Sequence, residues 1–234
     1  MALFTIGDPH LSLGSSKPMD IFSGWDGYTE KLKNNWQELV SPNDTVVLPG
    51  DISWGMSLEE SLADFKFLDK LNGKKYILKG NHDYWWTTQN KIQNFFAKNS
   101  INSIKIIHNN SFYEENVNIC GTRGWILEKG QNNEIQFDQK IVNRESMRLE
   151  ASIKDAKKNH PDAPILVFLH YPPIFRNEVC KEILEIIINY GIKECYYGHI
   201  HSTACKYALN SEQYGINFHL VSADYLNFCP LRIK

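Results

Sequence analysis

The chain has 234 residues, 42% of them hydrophobic, which is enough to bury one sizeable core, and one domain over residues 1–234 is expected. Its 25 Lys+Arg against 27 Asp+Glu give a formal net charge of -2 without a long block of like charge, which argues against a general nucleic-acid binder. No apolar run of ~18 residues and no leader-like N-terminus is found, so no membrane insertion is expected; five scattered cysteines (Cys120, Cys180, Cys195, Cys205, Cys229) lack C-x-x-C spacing, which indicates neither a disulfide framework nor a thiolate zinc site and fits a reducing, cytoplasmic setting.

In chain order, the first strand is predicted over Leu3 to Gly7, from its β-branched and aromatic content, and it runs out into TIGDPH. A helix over Tyr28 to Val40 precedes a strand over Thr45 to Pro49 that ends in VLPGDIS. A second helix is predicted from Ser57, which with Glu60 has the spacing of a capping box, to a stop at Gly73. The strand Lys75 to Lys79 ends in ILKGNHD, and a helix follows Thr87. Short runs at Ile104 to Ile107, Phe112 to Glu115 and Val117 to Cys120 resemble hairpin-linked strands, as do Lys206 to Leu209 and Ile216 to Val221, and this group is expected to form a second sheet. The polar stretch Glu128 to Asn133, containing Gly130, reads as an exposed loop at the rim of a site. Helices follow Asp138 and Asn177, while strands over Ile165 to Leu169 and Cys195 to Tyr197 end in VFLHYPP and YYGHIH. Alternating strands and helices of this kind argue for an α/β architecture.

Five strand ends therefore deliver Asp, Asn or His into a loop, and the loops at one edge of a sheet can converge on a crevice. Residues two apart in extended chain share a side, which pairs Asp8 with His10 and His199 with His201. Carboxylate, amide and imidazole without thiolate suit divalent Mn, Fe or Zn. Seven candidate ligands (Asp8, His10, Asp51, Asn81, His170, His199, His201) exceed what one ion needs. Two ions ~3.5–4 Å apart with a bridging carboxylate and a bridging hydroxide would use them, and such pairs catalyse in-line displacement at phosphorus.

The ordered set D-x-H, G-D, G-N-H-D, a later lone His and G-H-x-H, spanning Asp8 to His201, resembles the calcineurin-like metallophosphoesterase superfamily, in its bacterial phosphohydrolase form. The resemblance implies a β-sandwich of two mixed sheets flanked by helices. It implies that Asp8, His10 and His201 hold one divalent metal ion, that Asn81, His170 and His199 hold a second, and that Asp51 bridges them. It places His82 on the substrate side, contacting the phosphoryl oxygen or protonating the leaving group, with Asp83 orienting it. The reaction implied is hydrolysis of a phosphate ester or anhydride by a metal-bridging hydroxide, on a phosphorylated substrate that these residues do not name. A catalytically silent metal- and phosphate-binding module that recruits a partner is the alternative from another class, and the presence of His82 beside a full ligand set argues against it. A dimetal amidohydrolase would not explain G-N-H-D.

Arg123, between two glycines after a strand, is a candidate for bidentate contact with a substrate phosphate, and Tyr171 beside His170 is a further one. Trp54, Trp85, Trp86 and Trp125 lie near the site loops, where they would either line a substrate wall or fill the core. His108, His160 and His219 fall outside the motifs and read as structural or surface residues.

Overall fold

Runs such as Thr45–Pro49 and Ile165–Leu169 are apolar at consecutive positions because both faces of the strands they form are covered. The computed structural model describes residues 1–125, 128–129, 135–136 and 139–234. Its first half comprises β1 (Leu3–Thr5), α1 (Tyr28–Leu39), β2 (Thr45–Pro49), α2 (Leu62–Lys70), β3 (Lys74–Leu78), α3 (Gln89–Lys98), β4 (Ile104–Ile106), β5 (Phe112–Glu114) and β6 (Val117–Thr122). After the two-residue strands β7 (Glu128–Lys129) and β8 (Ile135–Gln136) come α4 (Gln139–Asn159), β9 (Ile165–Leu169), β10 (Ile174–Phe175), β11 (Glu178–Val179) and α5 (Lys181–Asn189). The chain finishes with β12 (Glu194–Tyr197), a 3₁₀ turn over Ser202–Tyr207, β13 (Glu212–Gln213), β14 (Ile216–Leu220) and β15 (Leu231–Arg232).

Two mixed sheets result, one ordered β15-β1-β2-β3-β4 and the other β13-β14-β12-β9-β6-β5. In the first, β1 to β4 are parallel and β15 is antiparallel; in the second, β14, β12, β9 and β6 are parallel and flanked by antiparallel β13 and β5. Period-two side-chain direction sorts each strand between two layers. Val46 and Leu48 face helices and meet Trp36, Phe65 and Phe96, whereas Val47 faces the other sheet and packs with Leu3, Tyr76 and Phe168. Across the second sheet, Val167 and Leu169 turn to Leu149 and Ile153 of α4 and to Ile183 and Ile187 of α5. The order is helices, sheet, sheet, helices, the sandwich that the motifs implied. Among the described residues no helix is long and apolar enough to cross a membrane.

The partition of strands differs from the one expected. β9 and β12, grouped above with β1 to β3, belong to the second sheet, and β4, grouped with the hairpins, extends the first. An apolar run looks alike in either sheet, and only pairing between distant segments decides membership. The expected strand over Lys206 to Leu209 is a 3₁₀ turn followed by a single bridge between Ala208 and Phe175. That turn tightens directly after His201, whose carbonyl accepts from Ala204 N. The second helix starts at Leu62 rather than Ser57. Ser57 Oγ does accept from Glu60 N at 3.2 Å, but the segment between them is an irregular turn. After Asn177 the chain first pairs β11 with β10, so α5 begins only at Lys181. Of the expected loop Glu128 to Asn133, Glu128–Lys129 pairs with Ile135–Gln136, and the remainder lies outside the described residues.

Candidate metal centre

The loops after β1, β2, β3, β9 and β12 meet where the two sheets face each other, and all seven expected ligands gather there. Backbone hydrogen bonds hold the loops together: Asp8 N donates to Gly50 O and His10 N to Asp51 O, each at 3.0 Å. Asp8, His10, Asp51 and His199 all have positive φ, between 43° and 69°. Non-glycine residues rarely adopt this region, and such strain persists only where the surroundings fix it, as they do at functional sites. Gly50, at φ 91°, sits so close to His170 that a Cβ would lie 2.7 Å from Nδ1, and Gly80 presses against the Asp51 carboxylate and backbone. Gly80→Ala is therefore expected to displace Asp51 and weaken metal binding at least tenfold, while the core retains its fold. Wild-type affinity by calorimetry would show that this loop contact has no part in the site.

On one side of the centre, the imidazole Nε2 atoms of His10 and His201 face each other at 3.3 Å, with Asp8 completing a three-residue group. On the other, Asp8, Asp51 and His170 form a second such group, so Asp8 belongs to both. Asp51 Oδ2 lies 3.6 Å from His10 Nε2 and 3.5 Å from His170 Nε2, between the two sides. Asn81 Oδ1 approaches His170 Nε2 at 2.6 Å and His199 Nδ1 at 2.9 Å, which brings the expected second set together.

Lone-pair-bearing atoms this close repel unless protons or cations lie between them. Burial tends to raise the carboxyl of Asp8, but the neighbouring imidazoles of His170, His201 and His10 outweigh it and hold the group below the ordinary carboxylate range. Burial, and then the charges of Asp83 and Asp8, push Asp51 well above that range. Burial and then His201 push His10 well below the ordinary imidazole value. Asp8 Oδ1 and His10 Nδ1 are buried without a hydrogen-bond partner. The oxygen and nitrogen donor set, with a buried carboxylate oxygen of Asp8 that accepts no hydrogen bond and lies 3.3 Å from His170 Nδ1, fits divalent cations.

Two imidazoles are oriented from behind. His201 Nδ1 and Asp224 Oδ1 are 2.8 Å apart, and Asp224 Oδ2 accepts from Ser202 N, so Nε2 of His201 is turned inward. That contact and Asp8 raise the His201 imidazole above its usual value although burial, the largest influence, opposes them. His170 Nδ1 lies 3.1 Å from Pro49 O, which turns Nε2 towards Asn81 and Asp51. Asp224 was missed by the sequence reading, although it too follows a strand end, in LVSAD after β14. Partners of this kind commonly contribute 10–100-fold in metal affinity. Asp224→Asn is expected to weaken binding at the His10–His201 side by that factor and to leave the Asn81 side unchanged, read from the two phases of a Mn²⁺ titration. A single unaltered isotherm would remove Asp224 from the site.

His82 donates its backbone N–H to Asp51 Oδ1 at 2.8 Å, and its ring stands 4.4 Å from Trp54 and 5.7 Å from His10. It lines a cavity of about 300 Å³ with His10, His201, Trp25, Trp54 and Met19, on the open side of the centre. Burial, and then the charges of His170 and His199, lower its imidazole to about 4. Asp83 does not touch that ring. Its carboxylate accepts from Ile52 N, Ser53 N, Gly80 N and Trp85 Nε1 at 2.7–3.2 Å, tying the loop after β2 to the loop after β3. The expected direct orientation of His82 by Asp83 is thus corrected: Asp83 fixes backbone, because four buried donors saturate it.

The tryptophans divide. Trp54 stacks on His10 at 5.1 Å, Trp85 is core, Trp86 faces a neighbouring cavity and Trp125 lies 5.1 Å from the Arg123 guanidinium. Arg123 holds the site through its backbone, its carbonyl accepting from His170 N and Tyr171 N, but its guanidinium turns away towards Glu145 at 3.8 Å. Tyr171 packs its ring 4.1 Å from His199. His219 pairs with Glu194 at 2.7 Å and His160 stacks on Tyr113, which are structural roles. His108 joins Trp86 in the neighbouring cavity.

A sandwich whose facing sheet edges gather carboxylates, an amide and imidazoles forms a crevice whose residues are candidates to hold metal ions. The chain matches the calcineurin-like phosphoesterase family over residues 1–203 and belongs to it. Comparison with curated proteins gives no match. Among solved structures, the chain is similar to the AQ665 protein of unknown function from Aquifex aeolicus and to phosphopantetheinyl hydrolase (PptH) from Mycobacterium tuberculosis. Each has TM-score 0.54 and 13% identity over 99% of this chain and 95% of that one. TT1561 of Thermus thermophilus is similar at TM-score 0.53 and 13% identity, over 85% of this chain and 81% of its own. At these identities the likeness is one of fold.

Proposed function

We propose that the protein is a dimetal-dependent phosphohydrolase acting on a phosphate ester or anhydride, with Asp8, His10 and His201 at one ion, Asn81, His170 and His199 at the other, and Asp51 shared. The observation that carries this reading is the placement of Asp51 Oδ2 3.6 Å from His10 Nε2 and 3.5 Å from His170 Nε2, within a family of phosphoesterases. When bound, two divalent ions supply an activated water at neutral pH and neutralise charge on the phosphoryl oxygens.

The chain's own residues do the rest. Asp83 and the loop glycines keep the ligands in place, Asp224 and Pro49 O fix the faces of two imidazoles, and His82 presents its ring to the incoming ester. The wall of Trp25, Trp54 and Met19 beside His82 receives the organic part of the substrate and excludes water from it.

Elemental analysis after Mn²⁺ loading, paired with p-nitrophenyl phosphate hydrolysis, tests this. About two ions per chain and activity that is lost to a chelator and restored by Mn²⁺ are expected. Two ions without hydrolysis of any phosphate ester would leave a binding module, and fewer than two would overturn the shared-ligand arrangement.

A further inference from the structure

The crevice between the sheets does not end at the metal ligands. The loops after β1, β2, β3, β9 and β12 carry the candidate ligands. One strand further along, the ends of β3 and β4 face the end of β6, and there a cavity of about 380 Å³ opens. Lys79, Arg123 and Arg148 line it together with Trp86 and His108. It is contiguous with the centre by construction, since Lys79 is two residues from Asn81 and the Arg123 carbonyl binds the backbone of His170.

The charge in this cavity is not balanced. Among the described residues lining it, Glu145 is the one carboxylate, 1% exposed, and it accepts from Thr122 Oγ1 at 2.6 Å and from Arg148 at 2.8 Å. Arg123 stands 3.8 Å from the same carboxylate, with its Nε buried and without a hydrogen-bond partner. Lys79 ends in the same space, and no described carboxylate pairs with it within 4.0 Å. Three cations therefore share one anion in a partly desolvated recess, an arrangement that an incoming multivalent anion relieves.

We infer that this cavity receives a second phosphoryl-type anion carried by the substrate, so that the substrates are organic molecules with two phosphate groups, one at the metal centre and one here. The inference rests on the reading of the centre as a phosphohydrolase site. Strand spacing of about 4.8 Å puts the two groups about 5–10 Å apart, which a four-carbon spacer spans. Trp86, which lines the same cavity, supplies an aromatic surface for that spacer. Arg123 thus serves the second phosphate, not the one being cleaved.

The test is calorimetric binding of butane-1,4-diol bisphosphate against butane-1,4-diol monophosphate, the latter with an equal concentration of inorganic phosphate to distinguish a tethered anion from a free one. The metal-loaded wild-type protein should prefer the bisphosphate by about tenfold or more, as charge-assisted contacts of this kind give. Lys79→Gln and Arg148→Gln should each bring the preference to within about threefold of unity. Arg148 partners buried Glu145, so its replacement risks the fold; Lys79 has no described ion pair and its variant decides alone if need be. A wild-type preference below twofold, or one that survives Lys79→Gln, overturns the inference. Binding needs no turnover, so inert p-nitrophenyl phosphate would count against the proposed reaction and not against this cavity.

Discussion

Asp51→Asn is expected to strip both sides of the centre at once, lowering affinity at each by more than the 10–100-fold typical of an outer-shell loss, whereas His10→Ala or His170→Ala should weaken mainly one. The isosteric amide keeps the fold: one atom of the new side chain can still accept from His82 N, as Asp51 Oδ1 does at 2.8 Å. The other position, which faces His10 and His170 at 3.6 and 3.5 Å, then carries an NH₂ group, with no lone pair for a cation. The stability readout should move in opposite directions in the two states. Without ions, Asp51 is a buried carboxylate crowded by Asp8 and Asp83, so neutralising it should raise the melting temperature of chelator-treated protein. With ions, the wild type gains binding free energy that the variant cannot. A variant that retains two ions and full activity would refute the bridging role.

Much of this candidate centre was legible because its proposed ligands follow strands directly. Asp8, Asp51, Asn81, His170 and His199 each occupy the first few positions after a short apolar run, so local sequence alone carries their placement. Asp224 obeys the same rule after β14, but its role is to hold His201, 23 residues away, a relation that only the folded chain displays. The sheet assignment of β4, β9 and β12 was illegible for a similar reason: parallel pairing through crossovers is decided by partners remote in sequence, and a buried strand has no polar face to betray its sheet. The family resemblance implies that Asp83 orients His82, yet in the GNHD turn neighbouring side chains diverge, and the carboxylate points inward to Ile52 and Ser53. Of the basic cavity beside the centre the sequence marked only Arg123, because Glu145 and Arg148 lie on a helix distant from every motif.

His82→Ala is expected to depress hydrolysis of an alkyl phosphate far more than that of p-nitrophenyl phosphate, with both ions still bound. In a loose transition state the bond to the leaving oxygen is largely broken and negative charge collects there. An alkoxide leaves slowly unless a proton arrives, whereas a nitrophenolate departs without one. His82 is the imidazole on the open side of the centre, among residues lining the same cavity as His10 and His201. Burial lowers its imidazole to about 4 in the ligand-free protein; a phosphoryl dianion beside it favours the charged form and raises that value towards the working pH. The loss of a proton donor should then cost ~10²–10⁴-fold in kcat/KM for the alkyl ester and under about tenfold for the nitrophenyl ester. The measurement is the ratio of the two losses in metal-replete protein, with metal content checked because His82 N also holds Asp51. Equal losses would assign His82 to the phosphoryl oxygens instead of the leaving group, and no loss for either ester would remove it from the reaction.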